Sequence, residues 1–252
     1  VDVIINCVGK IDNNTNDLKS INITFVKKLL KYINNYQSKI RLIHLSSVAV
    51  YEVNKKKIGQ YNVISENNSV KSNDLYSQTK IKGDLLIKNS IKKNSNKNFS
   101  YTILRISNVF GGKKKTNLIK FIIFSLKFRF WIKCYNDIMF NFVNVKDVAS
   151  ATELIISNLN ISKNETYIVS DDCEQYQLYK SYQKFYKKGI KKIQIPVSLI
   201  KSIVFLLPIP KKIMNFILLI TNRVNYRKNK IKKDLNFKPK NSLVQKIKIL
   251  NE

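Results

Sequence analysis

The side chains best suited to chemistry in this sequence are a tyrosine and a lysine four positions apart, Tyr76 and Lys80 in the stretch YSQTK. On a helix, residues at positions i and i+4 project from one face. An ammonium group near a phenol favours the phenolate, so we expect Lys80 to lower the pKa of Tyr76 from its usual value of about 10. Tyr76 would then act as a proton donor or acceptor near neutral pH.

A serine hydroxyl completes a candidate catalytic trio. Ser47 lies in HLSSVAVY (44–51), at the end of an apolar run and 29 positions before Tyr76. It would hold the same substrate oxygen as Tyr76, and the trio suits proton transfer at a carbinol or carbonyl while a nicotinamide gives or takes hydride. The alternative is that Tyr76 and Lys80 are ordinary helix residues, because chance copies of Y-x-x-x-K are expected in a chain so rich in tyrosine and lysine.

Alternating strand and helix patterns surround these residues and must position them. Near-continuous apolar runs predict buried strands, and apolar residues spaced by four predict amphipathic helices. We predict strands at 1–9, 40–48, 100–111, 139–145 and 165–171, and helices at 20–34, at 147–159 and around Tyr76 and Lys80. Strands separated by helices indicate βαβ units and a parallel sheet, with the trio at its C-terminal edge.

The positions of the glycines indicate which parts of a dinucleotide-binding fold this sequence contains. A dinucleotide-binding fold normally opens with a strand, a glycine-rich turn and a helix that together bind the pyrophosphate. No GxGxxG occurs here, and the six glycines are scattered. We therefore expect a Rossmann-like parallel sheet that lacks its first strand-helix unit, with an exposed edge in its place. We also expect an N-terminally truncated chain that by itself binds NAD(H) weakly.

Seven motifs in order resemble those of the extended short-chain dehydrogenase/reductase superfamily, in its NAD-dependent nucleotide-sugar epimerase/dehydratase family. The motifs are DVIINCVG, NITFVKKLL, LSSVAVY, YSQTK, RISNVFG, FNFVNVKDVASA and LNFKPKNSL. They extend over nearly the whole chain. The resemblance implies a dinucleotide-binding portion at 1–112 and 139–170. It also implies a small, mostly helical substrate-binding cap at 113–138 and 171–252.

The resemblance also implies roles for individual residues. Tyr76 would be the general acid/base, Lys80 would tune it and bind the nicotinamide ribose, and Ser47 would hydrogen-bond the reacting oxygen. The cofactor, NAD or NADP, would be lined by Cys7, Val8, Gly9, Lys10, Asn22, Tyr76, Lys80 and Ser107. Ser47 and Asn108 would contact the substrate. Alternatively, Gly9 merely ends a strand and Asn22 caps a helix.

Positions at which the sequence differs from the family pattern limit the types of reaction that we expect. Val48 and Ala49 stand where family dehydratases carry an Asp-Glu pair, so we disfavour dehydration. The C-terminal half, with YIVSDD and IQIPVSLIKSIVFLLPIP, resembles family members that process UDP-N-acetyl-sugars for surface polysaccharides. This resemblance implies an epimerase or 4-ketoreductase acting on a UDP-(N-acetyl)hexose in surface polysaccharide biosynthesis. Glu52 replaces a glycine of the motif, and Phe140 stands where the family often has an arginine for the substrate diphosphate. Lys113–Lys115, Arg129 or Lys133 would then meet that anion.

Two other classes of function stay open. One is a non-catalytic relative that serves as a binding or structural module. The other is a binder of RNA or of membrane surfaces, driven by 46 Lys+Arg against 16 Asp+Glu and a net charge of +30. Because the lysines are dispersed along the sequence, we interpret the high charge as a bias in amino-acid composition. We therefore expect no nucleic-acid partner. The resemblance to the family implies a possible homodimer, and no pattern in the sequence itself indicates one.

The remaining signals are weaker. No Cys/His cluster predicts a metal site; we expect Cys7 to be a buried thiol and His44 to be a packed strand residue. Asp2 stands where a signal peptide would be basic, so we expect a cytoplasmic protein. Lysines and prolines interrupt the apolar stretch 195–220, which predicts two short helices around a Pro-x-Pro turn, and peripheral membrane contact through their apolar faces remains open.

Overall fold

The computed structural model describes residues 2–11, 15–36, 38–51, 58–93, 98–113, 115–135, 137–240 and 242–251. The strands are β1 (Asp2–Asn6), β2 (Ile40–Ser47), β3 (Asn62–Ile64), β4 (Phe99–Ile106), β5 (Asn108–Phe110), β6 (Phe130–Lys133), β7 (Met139–Phe140), β8 (Phe142–Asn144), β9 (Glu165–Val169), β10 (Cys173–Glu174), β11 (Lys191–Gln194) and β12 (Val224–Tyr226). The helices are α1 (Thr15–Lys19), α2 (Phe25–Asn34), α3 (Leu75–Lys93), α4 (Asn117–Lys127), α5 (Val145–Ser157), α6 (Gln175–Tyr186), α7 (Val197–Leu206), α8 (Lys211–Ile220), α9 (Asn229–Leu235) and α10 (Leu243–Asn251).

The central sheet confirms the predicted α/β class. Its order is β1-β2-β4-β9, and every neighbouring pair is parallel. β2 and β4 are buried over most of their length, as their apolar runs predict. Among the described residues β1 pairs with β2 alone, and its side chains are mostly exposed or half-buried, so the sheet has the expected exposed edge there.

Two predicted strands are each divided in the structure. The strand predicted at 100–111 leaves the central sheet after Ile106, and β5 pairs instead with β8. The strand predicted at 139–145 is divided at Asn141, because β7 pairs with β10 while β8 pairs with β5. An apolar pattern along one segment does not show that consecutive residues pair with different partners.

Helices cover both faces of the sheet. On one face α2 and α3 contribute Val26, Leu30 and Ile87 to a core with Leu42 and Ile103. On the other face α5 and α9 pack against β2, β4 and β9, with Ile155, Ile231 and Leu235 buried against Ile43, Leu104 and Tyr167. The proposed division into two portions stays a prediction, and α9, which was assigned to the cap, packs against the sheet.

The remaining helices form further cores. α4, α6 and α10 surround Phe140 and Tyr179, and α7 and α8 pack Ile200, Ile217 and Ile220 around Ile132. The two short helices predicted within 195–220 are therefore confirmed, with a Pro-x-Pro turn at Pro208–Pro210 between them. In the portion of the chain that the structure describes, none of the helices combines the length and apolarity needed to cross a bilayer.

Candidate active site

Ser47 lies where β2 ends and a 3₁₀ turn (Val48–Val50) begins. Its backbone is extended, and its Oγ accepts a hydrogen bond of 3.2 Å from the Ala49 amide, so the side chain caps the turn that follows. The hydroxyl is thereby fixed at the carboxyl end of the strand. Val48 is buried and apolar, and neither it nor Ala49 can supply an acid or base.

α3 brings Tyr76 and Lys80 to the same strand end. Asp74 precedes the helix, and its carboxylate accepts from the Ser77 amide at 3.2 Å, which satisfies one of the free amides of the first turn. The Ser47 side chain lies close enough to the Tyr76 phenol to affect the pKa of the phenol. The Lys80 ammonium is buried and donates to the Leu45 carbonyl of β2 at 2.8 Å. The structure therefore brings the three predicted catalytic side chains together.

The expectation that Lys80 lowers the pKa of Tyr76 is wrong. Burial raises the pKa of Tyr76, the nearby Ser47 side chain opposes this shift, and the charges of Asp74 and Asp84 raise the pKa further. Burial also lowers the pKa of Lys80, and Asp84 opposes that shift. The sequence places Lys80 on the same helix face as Tyr76, but only the fold shows that the phenol is largely removed from water.

Asn22 ties the loop after β1 to α3. It is buried in a π-helical turn (Ser20–Thr24) that joins α1 to α2. Its Oδ1 accepts from the Lys10 amide at 3.1 Å, and its Nδ2 donates to the Lys10 carbonyl at 3.1 Å and to Thr79 Oγ1 at 2.9 Å. Turns of this kind occur often at functional sites. Asn22 thus holds the 7–10 loop against the helix of Tyr76 and does not cap a helix.

Gly9 lies beside the Lys80 ammonium. A Cβ placed on Gly9 would lie 3.6 Å from Lys80 Nζ and 3.7 Å from Asn22 Oδ1. Val8, which precedes it, is largely exposed, and its amide donates to Asn6 Oδ1 at 3.0 Å. The expectation of a buried Cys7 thiol is wrong: Cys7 is exposed, because it follows the last residue of β1 at the edge of the sheet.

Ser107 and Asn108 follow the end of β4, the strand next to β2, and Asn108 begins β5. Ile106 pairs with Ser47 in register, so Ser107 follows directly beside the candidate trio. The Ser107 amide donates to the Val169 carbonyl, while its buried hydroxyl has no hydrogen-bond partner within the described residues. The Asn108 side chain donates to the Asn141 carbonyl at 2.9 Å, so it is engaged within the protein.

The candidate anion-binding residues differ in how far their side chains are exposed to solvent. Phe140 is fully buried in the core around Tyr179, so it faces no ligand. Lys113, Lys115 and Arg129 are exposed and Lys133 is half-buried, and their role toward a diphosphate stays a prediction. Lys114 and Glu52 lie outside the described residues.

A buried ionic cluster supports the site, and the sequence reasoning missed its members. Arg105 Nε donates to Asp84 Oδ2 at 3.2 Å, and its NH1 donates to the Tyr51 hydroxyl at 2.6 Å. Asp84 follows Lys80 by one helical turn, and burial raises the pKa of its carboxyl against the opposing charges of Arg105 and Lys80. The cluster links α3 to β4 and to the turn after Ser47. The Lys80-x-x-x-Asp84 spacing and the arginine that opens RISNVFG were the available signals.

His44 is buried next to this cluster, which confirms that it is a packed strand residue. One ring nitrogen bonds the Asn6 amide at 3.0 Å, and the other lies 4.0 Å from Asp84 Oδ1. Burial, with the Lys80 charge as a second cause, lowers the pKa of His44 to about 3. His44 is therefore neutral at physiological pH.

Residues 1–170 match the family model described as the NAD dependent epimerase/dehydratase family, and the chain belongs to that family. No curated protein matches the chain in sequence.

Solved structures share the fold at low sequence identity. UDP-glucuronic acid 4-epimerase from Bacillus cereus in complex with NAD is 16% identical, with a TM-score of 0.69 over 100% of this chain and 71% of that one. RMD from Pseudomonas aeruginosa, complexed with NADPH, is 14% identical, with a TM-score of 0.69 over 99% of this chain and 80% of that one. MoeE5 in complex with UDP-glucuronic acid and NAD is 13% identical, with a TM-score of 0.69 over 99% and 77%.

Proposed function

We propose that the protein is a NAD(P)-dependent nucleotide-sugar epimerase or 4-ketoreductase in which Ser47, Tyr76 and Lys80 form the catalytic site. One observation carries the proposal. The Tyr76 phenol lies near Ser47 at the end of a central strand, and the buried Lys80 ammonium is bonded to the same strand beside Gly9. A chance Y-x-x-x-K pair on a helix surface would lack these partners.

The residues present fit the nicotinamide end of the cofactor. Gly9 leaves room beside the Lys80 ammonium, and an ammonium has three donors, of which the Leu45 carbonyl takes one. The buried Ser107 hydroxyl adds a polar group at the same edge. Lys80 would therefore bind a ribose hydroxyl, and Asn22 would hold the 7–10 loop in place. When bound, the cofactor would accept or supply the hydride.

Tyr76 and Ser47 would handle the proton. Because its pKa is raised, the Tyr76 phenol is protonated at neutral pH and is ready to donate to a carbonyl oxygen that is being reduced. In the opposite direction it would accept the proton of a sugar hydroxyl, and a hydrogen bond from Ser47 would stabilise the phenolate that precedes this step. Ser47 would also orient the reacting oxygen.

The proposed substrate class is supported by the sequence resemblance and by the residues that follow Ser47. Two of the solved structures contain UDP-glucuronic acid or NAD, and their identity of 13–16% supports the fold alone. The choice of a UDP-(N-acetyl)hexose and of surface polysaccharide biosynthesis rests on the sequence resemblance. The apolar Val48 and Ala49 after Ser47 favour epimerisation or ketoreduction over dehydration, because water elimination needs a further acid and base.

The test uses the protein expressed from its complete open reading frame. It is incubated with UDP-GlcNAc and NAD in one arm, and with the corresponding 4-keto sugar and NADH or NADPH in the other, and the products are identified by NMR. Formation of the C4 epimer supports the epimerase, and reduction of the keto sugar alone supports the ketoreductase. Failure to convert these or other UDP-hexoses in either arm would overturn the proposal.

A further inference from the structure

An apolar surface lies on α7, on the turn after it and on α8. Its most exposed members, each at least 41% exposed, are Leu199, Phe205, Leu206, Leu207, Ile213 and Phe216. We call these six residues the apolar tip. Phe205 is 89% exposed and Leu206 is 72% exposed, so both side chains stand almost fully in water. Clusters of exposed apolar side chains on this scale mark interaction sites.

The apolar tip is not needed to attach α7 and α8 to the protein. Ile200 of α7 and Ile217 and Ile220 of α8 already bury one face of each helix around Ile132. A helix packed in this way on a protein surface normally presents polar residues on its opposite face. Here much of the outward face is apolar as well, and of the six residues of the apolar tip Phe216 alone is seen, among the described residues, to contact another ring.

A row of aromatic rings extends this surface onto α4. The Phe216 ring packs edge-on against Phe121 of α4, with ring centroids 5.6 Å apart. Farther along the same helix Phe124 contacts Phe128 at 4.6 Å, and these two side chains are 52% and 60% exposed. Positions 121, 124 and 128 follow one helix face. The exposed apolar area therefore spans parts of three helices.

The charged residues of α4, α7 and α8 are all lysines. Lys127 Nζ lies 6.0 Å from the Phe128 ring centroid, and Lys201 is exposed on α7. The sequence has no Asp or Glu between Glu174 and Asp234, a stretch that contains both α7 and α8, and α4 has none either. With a net charge of +30 for the whole chain, the surroundings attract anions.

We propose that the apolar tip and the α4 aromatic row dock on the surface of an anionic lipid bilayer. Phe205, Leu206 and Leu207 are consecutive at the C-terminal end of α7, and all three are exposed, so the end of this helix presents apolar side chains to solvent. Such an arrangement suits insertion among lipid chains, whereas a protein interface needs a complementary shape. A second copy of this chain would bring another strongly positive surface to the contact. Lysines beside exposed apolar rings match the interfacial binding of helices that lie on a membrane without crossing it.

The experiment measures flotation of the protein, expressed from its complete open reading frame, with vesicles of phosphatidylcholine with or without phosphatidylglycerol. We expect binding to the anionic vesicles that weakens with salt. The double variant Phe205→Ser/Leu206→Ser should lower partitioning by at least about tenfold, because two large apolar side chains no longer enter the interface. The matched control Tyr32→Ser/Ile161→Ser, which removes exposed apolar side chains elsewhere, should bind like the wild type.

A second set of variants, in which lysines are replaced by glutamate, measures the electrostatic contribution to vesicle binding. Lys127→Glu/Lys201→Glu should weaken binding to anionic vesicles more than Lys146→Glu/Lys163→Glu, which reverses exposed lysines on other elements. Thermal melting checks that every variant is folded. Absence of binding to anionic vesicles, or equal binding by the tip variant and its control, overturns the proposal. If the tip variant instead turns a dimer into a monomer in sedimentation while vesicles are not bound, the occupant is a second copy and the lipid proposal is wrong.

Discussion

α3 and the α7–α8 pair depart from the usual distribution of side chains in opposite ways. α3 buries polar and charged groups, including Ser77, Thr79, Lys80 and Asp84, whereas α7 and α8 expose Phe205 and its apolar neighbours. Buried charges are rare in proteins unless partners compensate them. On α3 the partners are present within the chain, namely the Leu45 carbonyl and Arg105. On the apolar tip Phe205 and Leu206 stay 89% and 72% exposed among the described residues. The first region therefore indicates internal chemistry, and the second indicates an external surface.

The strongest test of this comparison removes a partner from the buried side. Asp84→Leu leaves the buried Arg105 without its carboxylate, and loss of one member of a buried ion pair costs about 3–5 kcal/mol. We expect a loss of that order in the free energy of unfolding, measured by urea denaturation. The control is Glu165→Ala at the half-exposed pair with Lys230, where the loss should stay below about 1 kcal/mol. Equal losses of unfolding free energy at the two pairs would show that the buried Asp84–Arg105 pair contributes no more to stability than the half-exposed pair does.

The second test concerns the ammonium of α3. Lys80→Met keeps most of the length of the side chain but removes its charge and its bond to the Leu45 carbonyl. We expect the rate to fall by at least about 10²-fold, or about 2.7 kcal/mol, since the site loses its cation. Cofactor binding, measured by NADH fluorescence, should weaken in parallel. Lys82→Met, two positions away on the same helix, is the matched control and should leave both quantities unchanged.

The third test uses pH. The pKa of His44 is about 3 in the folded protein and about 6.5 when unfolded, so the unfolded state takes up the proton first as pH falls. The stability contribution is therefore complete above about pH 6.5 and is lost toward pH 3, with a loss of about 2 kcal/mol by pH 5. The sequence has one histidine, so its C2 proton can be followed by NMR. A resonance that titrates between pH 6 and 7, as free histidine does, would show that His44 reaches water.

The smallest effect belongs to the exposed side of the comparison. Phe205→Ser should change the free energy of unfolding by no more than about 0.5 kcal/mol, because the ring has few contacts in the folded state. Ile217→Ser on the buried face of α8 is the contrasting variant and should be strongly destabilising. If Phe205→Ser destabilises the protein as much as Ile217→Ser does, the ring is buried in solution and the apolar tip is not a free surface.

Local patterns predicted the sheet, and the family resemblance together with the shared edge of parallel strands predicted that Ser47 and Tyr76 lie close together. An apolar run marks a strand, a spacing of four marks a helix face, and the ends of parallel strands share one edge. Prediction from the sequence failed where the outcome depends on contacts between distant segments. Cys7 was predicted buried from its apolar neighbours, although β1 has one pairing partner among the described residues.

The pKa of Tyr76 and the ionic cluster show the same limit. Lys80 is four positions from Tyr76 in sequence, but burial by the rest of the fold outweighs any effect of that neighbour on the phenol. Asp84 and Arg105 lie on different elements and are 21 positions apart, so only the packing of α3 against β4 brings them together. Such pairs have no periodic signature in the sequence.

The most direct test of the central claim is the turnover rate of Tyr76→Phe in the protein expressed from its complete open reading frame. The substitution keeps the ring and removes the hydroxyl that lies near Ser47. We predict that kcat falls by about 10²–10⁴-fold while substrate still binds, as expected for loss of a general acid/base. Tyr32→Phe, which removes an exposed hydroxyl on α2, should leave kcat unchanged. Full activity in Tyr76→Phe would contradict the account, because Tyr76 would then be a structural residue of α3.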